Sequence, residues 1–400
     1  MAARDSFNSR TSELGPPAPE SLEPLRAVHT TNFPALLRQL GVSLLVTTYQ
    51  AGKLVIVREE GDHLNAHFRL FHAPMGLALD GGRLAIGTLV QVHEYVDVPA
   101  VASKLDPPGR HDACFLPRAS HHTGNIQGHE MAWDADGALW VVNTRFSCLC
   151  TLDRSASFTP QWQPPFITAL EPSDRCHLNG LAMVDGRPRY VTALGETDEP
   201  SGWRANKSKG GIVMDVASGE VITRGLSMPH SPRWHGGRLW VCESGTGTLG
   251  TIDMTTGKYE PIAEVPGFTR GVDFVGNLAF VGLSQVRESA VFSGIPITER
   301  LPADERTCGV CAIDLRNGQV VALLRFDTAV QEVFALTVLP GRRYPELIND
   351  DAKLLANSFV VPDAVLANVP AFLRGPAQAT LGAAGSAERR SVPRGTFRSV

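Results

Sequence analysis

One phrase recurs along this chain: an apolar strand, a turn carrying Asp or Gly, and a second apolar strand. It reads MGLALDGGRLAIG (75–87), HEMAWDADGALWVV (129–142), NGLAMVDGRPRYVT (179–192), HSPRWHGGRLWVC (230–242), RGVDFVGNLAFVG (270–282) and EVFALTVLPG (332–341). A third strand ending in Asp and a turn follows several copies, as in IVMDVASGEVI from 212 and TIDMTTGKYEPI from 251. Each unit is therefore a four-stranded antiparallel meander. A meander cannot cover both of its faces alone, so the copies must stack around an axis. The early run SLLVTTYQAGKLVIVRE (43–59) lacks a leading phrase, and the last phrase has too few strands after it. Pairing these two ends in one blade closes the ring without an exposed edge. The expected fold is all-β: a six-bladed β-propeller of four-stranded antiparallel blades.

The propeller is expected over residues 25–360, with a disordered tail at 1–24 and a short helix plus disordered tail at 361–400. Both ends are small, polar and rich in Pro or Gly, and bury too little apolar area to order. Helices are expected near Asn32–Leu40 and from Ala364 to Arg374. No apolar run reaches the roughly 18 residues of a membrane span, and the N-terminal stretch has no apolar segment of a secretory signal. With 37 basic and 41 acidic residues interspersed, there is no electrostatic footprint for nucleic acid or an anionic membrane. Seven cysteines without framework spacing read as reduced and buried, and the protein as cytoplasmic.

In a propeller the innermost strand of each blade lines the central channel, and its first residue faces the mouth. Aligning the phrases puts Met75, His129, Asn179, His230, Arg270 and Glu332 at that position, with His177 and His72 on neighbouring loops. A water-filled channel accounts for a single polar residue there. Imidazoles at equivalent places on several blades point instead to a metal or charged-ligand site. His129, His177, Asn179 and His230 are the candidate metal ligands; Arg270, to hold a carboxylate or phosphate, and Glu332 are the candidate catalytic residues. The long insertion after Ala193 brings Trp203 and Arg204, with His72, as candidate substrate contacts.

Other features read as structural. Cys308 and Cys311, three apart, point to opposite strand faces; Cys148 and Cys150 share one face between blades. Trp140 and Trp240 fill blade strands. His121 and His122 lie in a polar loop, a rim over the channel or a solvated segment, and Glu130 points away from the channel or caps the loop if His129 faces it.

HLNGLAMVDG, GHEMAWDADGALWVVN and HSPRWHGGRLWVCESGTGTL together resemble the six-bladed propellers of the gluconolactonase, senescence-marker and strictosidine synthase superfamily. Over about residues 25–360 the chain is more closely similar to a group of uncharacterised bacterial propeller proteins. The resemblance implies that Asn179 contributes to a central divalent ion. The superfamily's other ligands are acidic or amide groups, and this chain carries His129 and His230 instead. Zinc, iron, copper or manganese is therefore expected rather than calcium.

Two functions follow. The first is a metal-dependent enzyme acting on a small polar molecule at the channel mouth by hydrolysis, isomerisation or oxidation. The second is a non-catalytic propeller whose loops bind a protein or peptide. Neither calls for nucleic acid or a membrane.

Overall fold

The computed structural model describes residues 25–286 and 293–370; the tail expected at 1–24 and residues 371–400 of the segment expected at 361–400 lie outside them. Six sheets form, each a meander whose inner strand opens with the repeated phrase. Blade 1 joins the two ends of the chain: the inner strand Ala335–Pro340 pairs with Val42–Thr48, followed by Lys53–Glu60 and His63–Leu70. The inner strands of blades 2 to 6 are Leu77–Asp80, Gly128–Trp133, Leu178–Val184, Pro229–His235 and Phe268–Val275.

The ring can be followed through its cores. Each neighbouring pair of blades encloses one apolar cluster, such as Cys148, Cys150 and Met131 between blades 2 and 3, and Leu178, Val191 and Val142 between blades 3 and 4. Phe280 and Phe33 stack at 6.2 Å in the cluster between blades 6 and 1. Strands enclosed on both faces are buried along their whole length, as Val42–Thr48 is, so alternation disappears there and only the turns mark the repeat.

Two blades differ from the expected four strands. Ala27–His29 adds a fifth strand to blade 6, and Pro345–Leu347 adds a parallel fifth strand to blade 2. The chain ends thus cross the seam in both directions, tying blades 6, 1 and 2 together. The helix Phe33–Leu40 bridges this seam, presents Phe33 and Leu37 to the core and stops at Gly41, whose φ of 67° closes the C-cap. Of the helix expected from Ala364, only Asp363–Leu366 is helical among the described residues, in a separate unit beginning at Val360. The strand Ala113–His122 holds His121 and His122, which corrects the loop reading. Their side chains meet Ser157 and Gln91 at a blade edge. No helix among the described residues is long and apolar enough to cross a membrane.

Candidate functional site

The ring positions are shaped by a local irregularity that recurs from blade to blade. The pairing of the first two strands slips by one residue at His129–Glu130, at Asn179, between His230 and Arg233, and between Thr269 and Val272. A bulge of this kind breaks the alternation of side chains. His129 and Glu130 consequently both serve the channel, which corrects the expectation that Glu130 turns away. Glu130 is buried and meets Arg233 of blade 5 at 2.5 Å, past the intervening blade 4.

Two residues before the ring position, four blades place a non-glycine residue in the left-handed region: Ala73, Gln127, His177 and Met228, with φ between 48° and 51°. This turn aims carbonyls inward. His129 Nδ1 lies 2.9 Å from the Gln127 carbonyl, and His230 Nδ1 lies 2.9 Å from that of Met228.

A hydroxyl completes each arrangement. Thr144 Oγ1 sits 2.8 Å from His129 Nδ1 and donates to the Leu178 carbonyl of the next blade at 2.5 Å. Ser244 Oγ sits 2.9 Å from His230 Nδ1 and donates to the Thr269 carbonyl at 2.5 Å. Each hydroxyl spends its one proton on a carbonyl, so it accepts from the imidazole. Nδ1 carries the proton in both rings, and Nε2 keeps a lone pair. Burial, followed by the charge of Arg270, pushes both imidazoles well below the usual histidine range, so both are neutral near pH 7.

His177 is fixed differently. Its Nδ1 lies 3.0 and 2.9 Å from the two oxygens of Asp174, and Trp203 Nε1 donates to Asp174 Oδ2 at 3.1 Å. The His177 ring is 4.5 Å from Trp203 and 4.9 Å from His129, edge-on to the latter. Trp203 is 3% exposed and belongs to a cluster with Leu194, Met228 and Phe268, so the insertion folds down as a cover over His177. Nε2 of His129, His177 and His230 makes no hydrogen bond among the described residues.

Beside the imidazoles lies a buried ion pair. Arg270 Nη1 is 3.6 Å from Glu332 Oε1, with side chains 12% and 18% exposed. The guanidinium lies 3.5 Å from the Phe334 ring, itself 5.1 Å from His129 and 6.0 Å from Tyr49. Desolvation lowers Arg270 to about 10 and raises Glu332 above the usual carboxylate range. Arg270 Nη2 and Glu332 Oε2 have no hydrogen-bond partner among the described residues.

The remaining sequence candidates divide. Asn179 is buried, with Oδ1 accepting from Thr192 and Nδ2 unpartnered. Met75 joins an apolar cluster. His72 is exposed, and Arg204 is exposed with its guanidinium 5.2 Å from the Trp203 ring. Sequence reasoning missed Asp174, Thr144, Ser244, Tyr49 and Phe334. The aligned strings LWVVNT (139–144) and LWVCES (239–244) hold the hydroxyl signal, each ending five residues after its Leu.

The donor chemistry suits an imidazole-binding ion, because the tautomers and neutrality are set as metal ligands require. As the side chains stand, no three His, Cys, Asp or Glu among the described residues are grouped closely enough to hold one. All seven cysteines are free and buried. Burial raises the thiols of Cys176 and Cys242 to about 12, so neither offers a thiolate.

Residues 31–348 match the family described as Domain of unknown function (DUF4915). The chain belongs to that family. No curated protein matches the sequence. Among solved structures, this DUF4915 member is similar to a chain of a nidogen/laminin complex, at 11% identity, over 75% of this chain and 99% of that one, with a TM-score of 0.49. Virginiamycin B lyase from Staphylococcus aureus matches at 14% identity over 60% and 73% of the two chains, TM-score 0.37. Regucalcin from Agrobacterium tumefaciens, a calcium-binding protein, matches at 15% over 62% and 73%, TM-score 0.40. At such identities the DUF4915 chain takes no chemistry from them.

Proposed function

We propose that this propeller is an enzyme acting on a small polar substrate with one anionic group, bound at the ring end of the channel, by proton transfer. What carries the reading is one conjunction: three imidazoles with Nδ1 fixed and Nε2 unspent, next to a buried guanidinium with an unspent Nη2. Arg270 holds the carboxylate or phosphate of the substrate. His177 Nε2 moves the proton, and Asp174 holds its tautomer and stabilises the imidazolium that forms. His129 and His230, neutral, accept hydrogen bonds from substrate hydroxyls. Thr144 and Ser244 donate to carbonyls rather than to histidine, which disfavours a hydroxyl nucleophile.

A divalent ion is a second part of the proposal: bound, it would take the Nε2 lone pairs of His129 and His230 in place of those substrate hydrogen bonds, with His177 and Asn179 as further candidate ligands. Bound there, it would polarise a substrate oxygen. The test has two arms. Metal analysis before and after chelation should show stoichiometric zinc, iron, copper or manganese in the wild type and none in His129→Ala/His230→Ala; no metal in either removes the ion from the proposal. In thermal-shift titrations with small carboxylates, sugar acids and inorganic phosphate, at least one should raise the melting temperature of the wild type and not of Arg270→Gln. If none does, or the variant responds equally, the anionic substrate is wrong.

A further inference from the structure

The opposite mouth of the channel holds a separate cavity of about 580 Å³, lined by inner-strand residues of all six blades. That volume lies within the range of sites for small organic ligands. Its walls divide about equally between polar and apolar surface; Leu79, Met131, Met183 and Val338 supply hydrocarbon, and Trp133 and Trp234 supply indole. The repeat explains the location. Inner strands begin at the ring and end here, and in blades 3, 5 and 6 the bulge at the ring end leaves the second half of the strand in regular alternation; blade 4 slips once more between Ala182 and Met183.

Three charged side chains line this cavity, and two are already neutralised. Arg233 is paired with Glu130 at 2.5 Å, and Arg342 with Asp97 at 2.9 Å. Asp273 forms no ion pair among the described residues; its oxygens accept only the backbone N–H groups of Val338 and Phe274, each at 2.8 Å. Arg233 also faces Asp273 and lowers its carboxyl electrostatically, but that guanidinium is paired with Glu130. The cavity therefore presents one carboxylate without an ion-pair partner of its own among the described residues, beside aromatic and hydrocarbon surface. Trp133 already carries the guanidinium of Arg83 at 3.6 Å from its ring, which shows a cation seated on an indole of this lining. Its buried Nε1–H has no hydrogen-bond partner among the described residues. Trp234 is 36% exposed and carries no such cation among the described residues.

We propose that this mouth is a binding site for a small organic cation, an ammonium or guanidinium on an apolar body, with Asp273 as counter-ion and Trp234 as aromatic wall. A hard metal ion does not suit it, since such ions demand six or more oxygen ligands and one carboxylate is present. An anion does not suit it either, because both guanidiniums are spent. The site stands apart from the ring chemistry and does not depend on it.

The probes are phenethylamine, its neutral isostere 2-phenylethanol and the anion phenylacetate, followed by calorimetry and tryptophan fluorescence near pH 7.5. The amine should bind about tenfold more tightly than the alcohol, and phenylacetate most weakly. Asp273→Asn keeps the side chain's shape and, with its single acceptor oxygen, one of the two backbone hydrogen bonds; it should erase the difference between amine and alcohol. Trp234→Ala should weaken both severalfold, while Arg270→Gln at the other mouth should leave both unchanged. The wild type alone supplies a check independent of any variant's folding. Burial raises the Asp273 carboxyl, so the preference for the amine should fade as pH falls from about 8 to about 4. Equal affinity for amine and alcohol, absence of saturable binding, or a preference that ignores pH or survives in a folded Asp273→Asn would overturn the proposal.

Discussion

Thr144 Oγ1 stands between His129 Nδ1, at 2.8 Å, and the carbonyl of Leu178, at 2.5 Å, so one hydroxyl both sets a tautomer in blade 3 and pins the start of the inner strand of blade 4. Equivalent hydroxyls join further blades: Thr47 donates to the Met75 carbonyl at 2.6 Å and Ser284 to that of Val333 at 3.2 Å. Site geometry and ring closure therefore share the same hydrogen bonds.

From this comes the first expectation. Thr144→Val removes the hydroxyl at constant shape and strands a buried carbonyl, costing about 1–3 kcal/mol. Thr144→Ser keeps the bond and should cost less. Urea titration of the three proteins measures both; a valine variant as stable as the serine variant would show that the clasp contributes nothing.

Much of this architecture was readable before any coordinates. Six phrases with glycine turns specify six inner strands, and the orphaned run at 43–59 specifies the closure seen between Val42–Thr48 and Ala335–Pro340. Alternation failed wherever a bulge intervenes: Glu130 follows His129 directly and was assigned to the far side, whereas the bulge brings it to Arg233. Asp174 was invisible because its partnership with His177 depends on a loop whose residues both adopt positive φ, a conformation no composition rule specifies for Asp and His. The polar stretch before His129 looked like a loop because the half of its strand from Pro117 to His122 lies beyond the three residues that Pro345–Leu347 covers, so it is largely solvated and tolerates Pro117 as an edge does.

The pH dependence of stability follows from the desolvated imidazoles of His129 and His230. His129 and His230 titrate well below 6.5 in the folded chain, while in the unfolded chain they titrate near 6.5. Below that value the unfolded state takes up protons that the folded state refuses, so stability falls as pH drops from about 6.5. The raised carboxyl of Glu332 acts with the opposite sign, losing stability as pH rises above its unfolded value of 4.5. Chemical denaturation between about pH 5 and 7 should show a positive slope for the wild type and a shallower one for His129→Gln. Parallel slopes would mean that His129 is not desolvated in the folded chain.

Arg270 and Glu332 should show the asymmetry of buried pairs. Removing one partner leaves the other charged without compensation, so Arg270→Met should lose about 3–5 kcal/mol. Adding Glu332→Gln removes the stranded charge, and the double variant should be more stable than the single one. A double variant less stable than Arg270→Met would indicate that Glu332 has another partner in solution, and guanidinium unfolding of all four proteins of the cycle decides it.

Asp174 receives two N–H donors, from His177 and Trp203. Asn in its place can offer a single carbonyl oxygen, so one donor is lost and the amide must present its own N–H to the other. With a substrate identified through the anion panel, Asp174→Asn should lower kcat by about 10²–10⁴ with little change in KM, as expected when a base loses the group that holds its tautomer. Trp203→Phe keeps the ring over His177 and removes only the indole N–H, so its loss should stay within about tenfold. Steady-state kinetics on both variants separate the roles: if Asp174→Asn raises KM and spares kcat, the carboxylate only shapes the pocket and His177 is not the proton carrier.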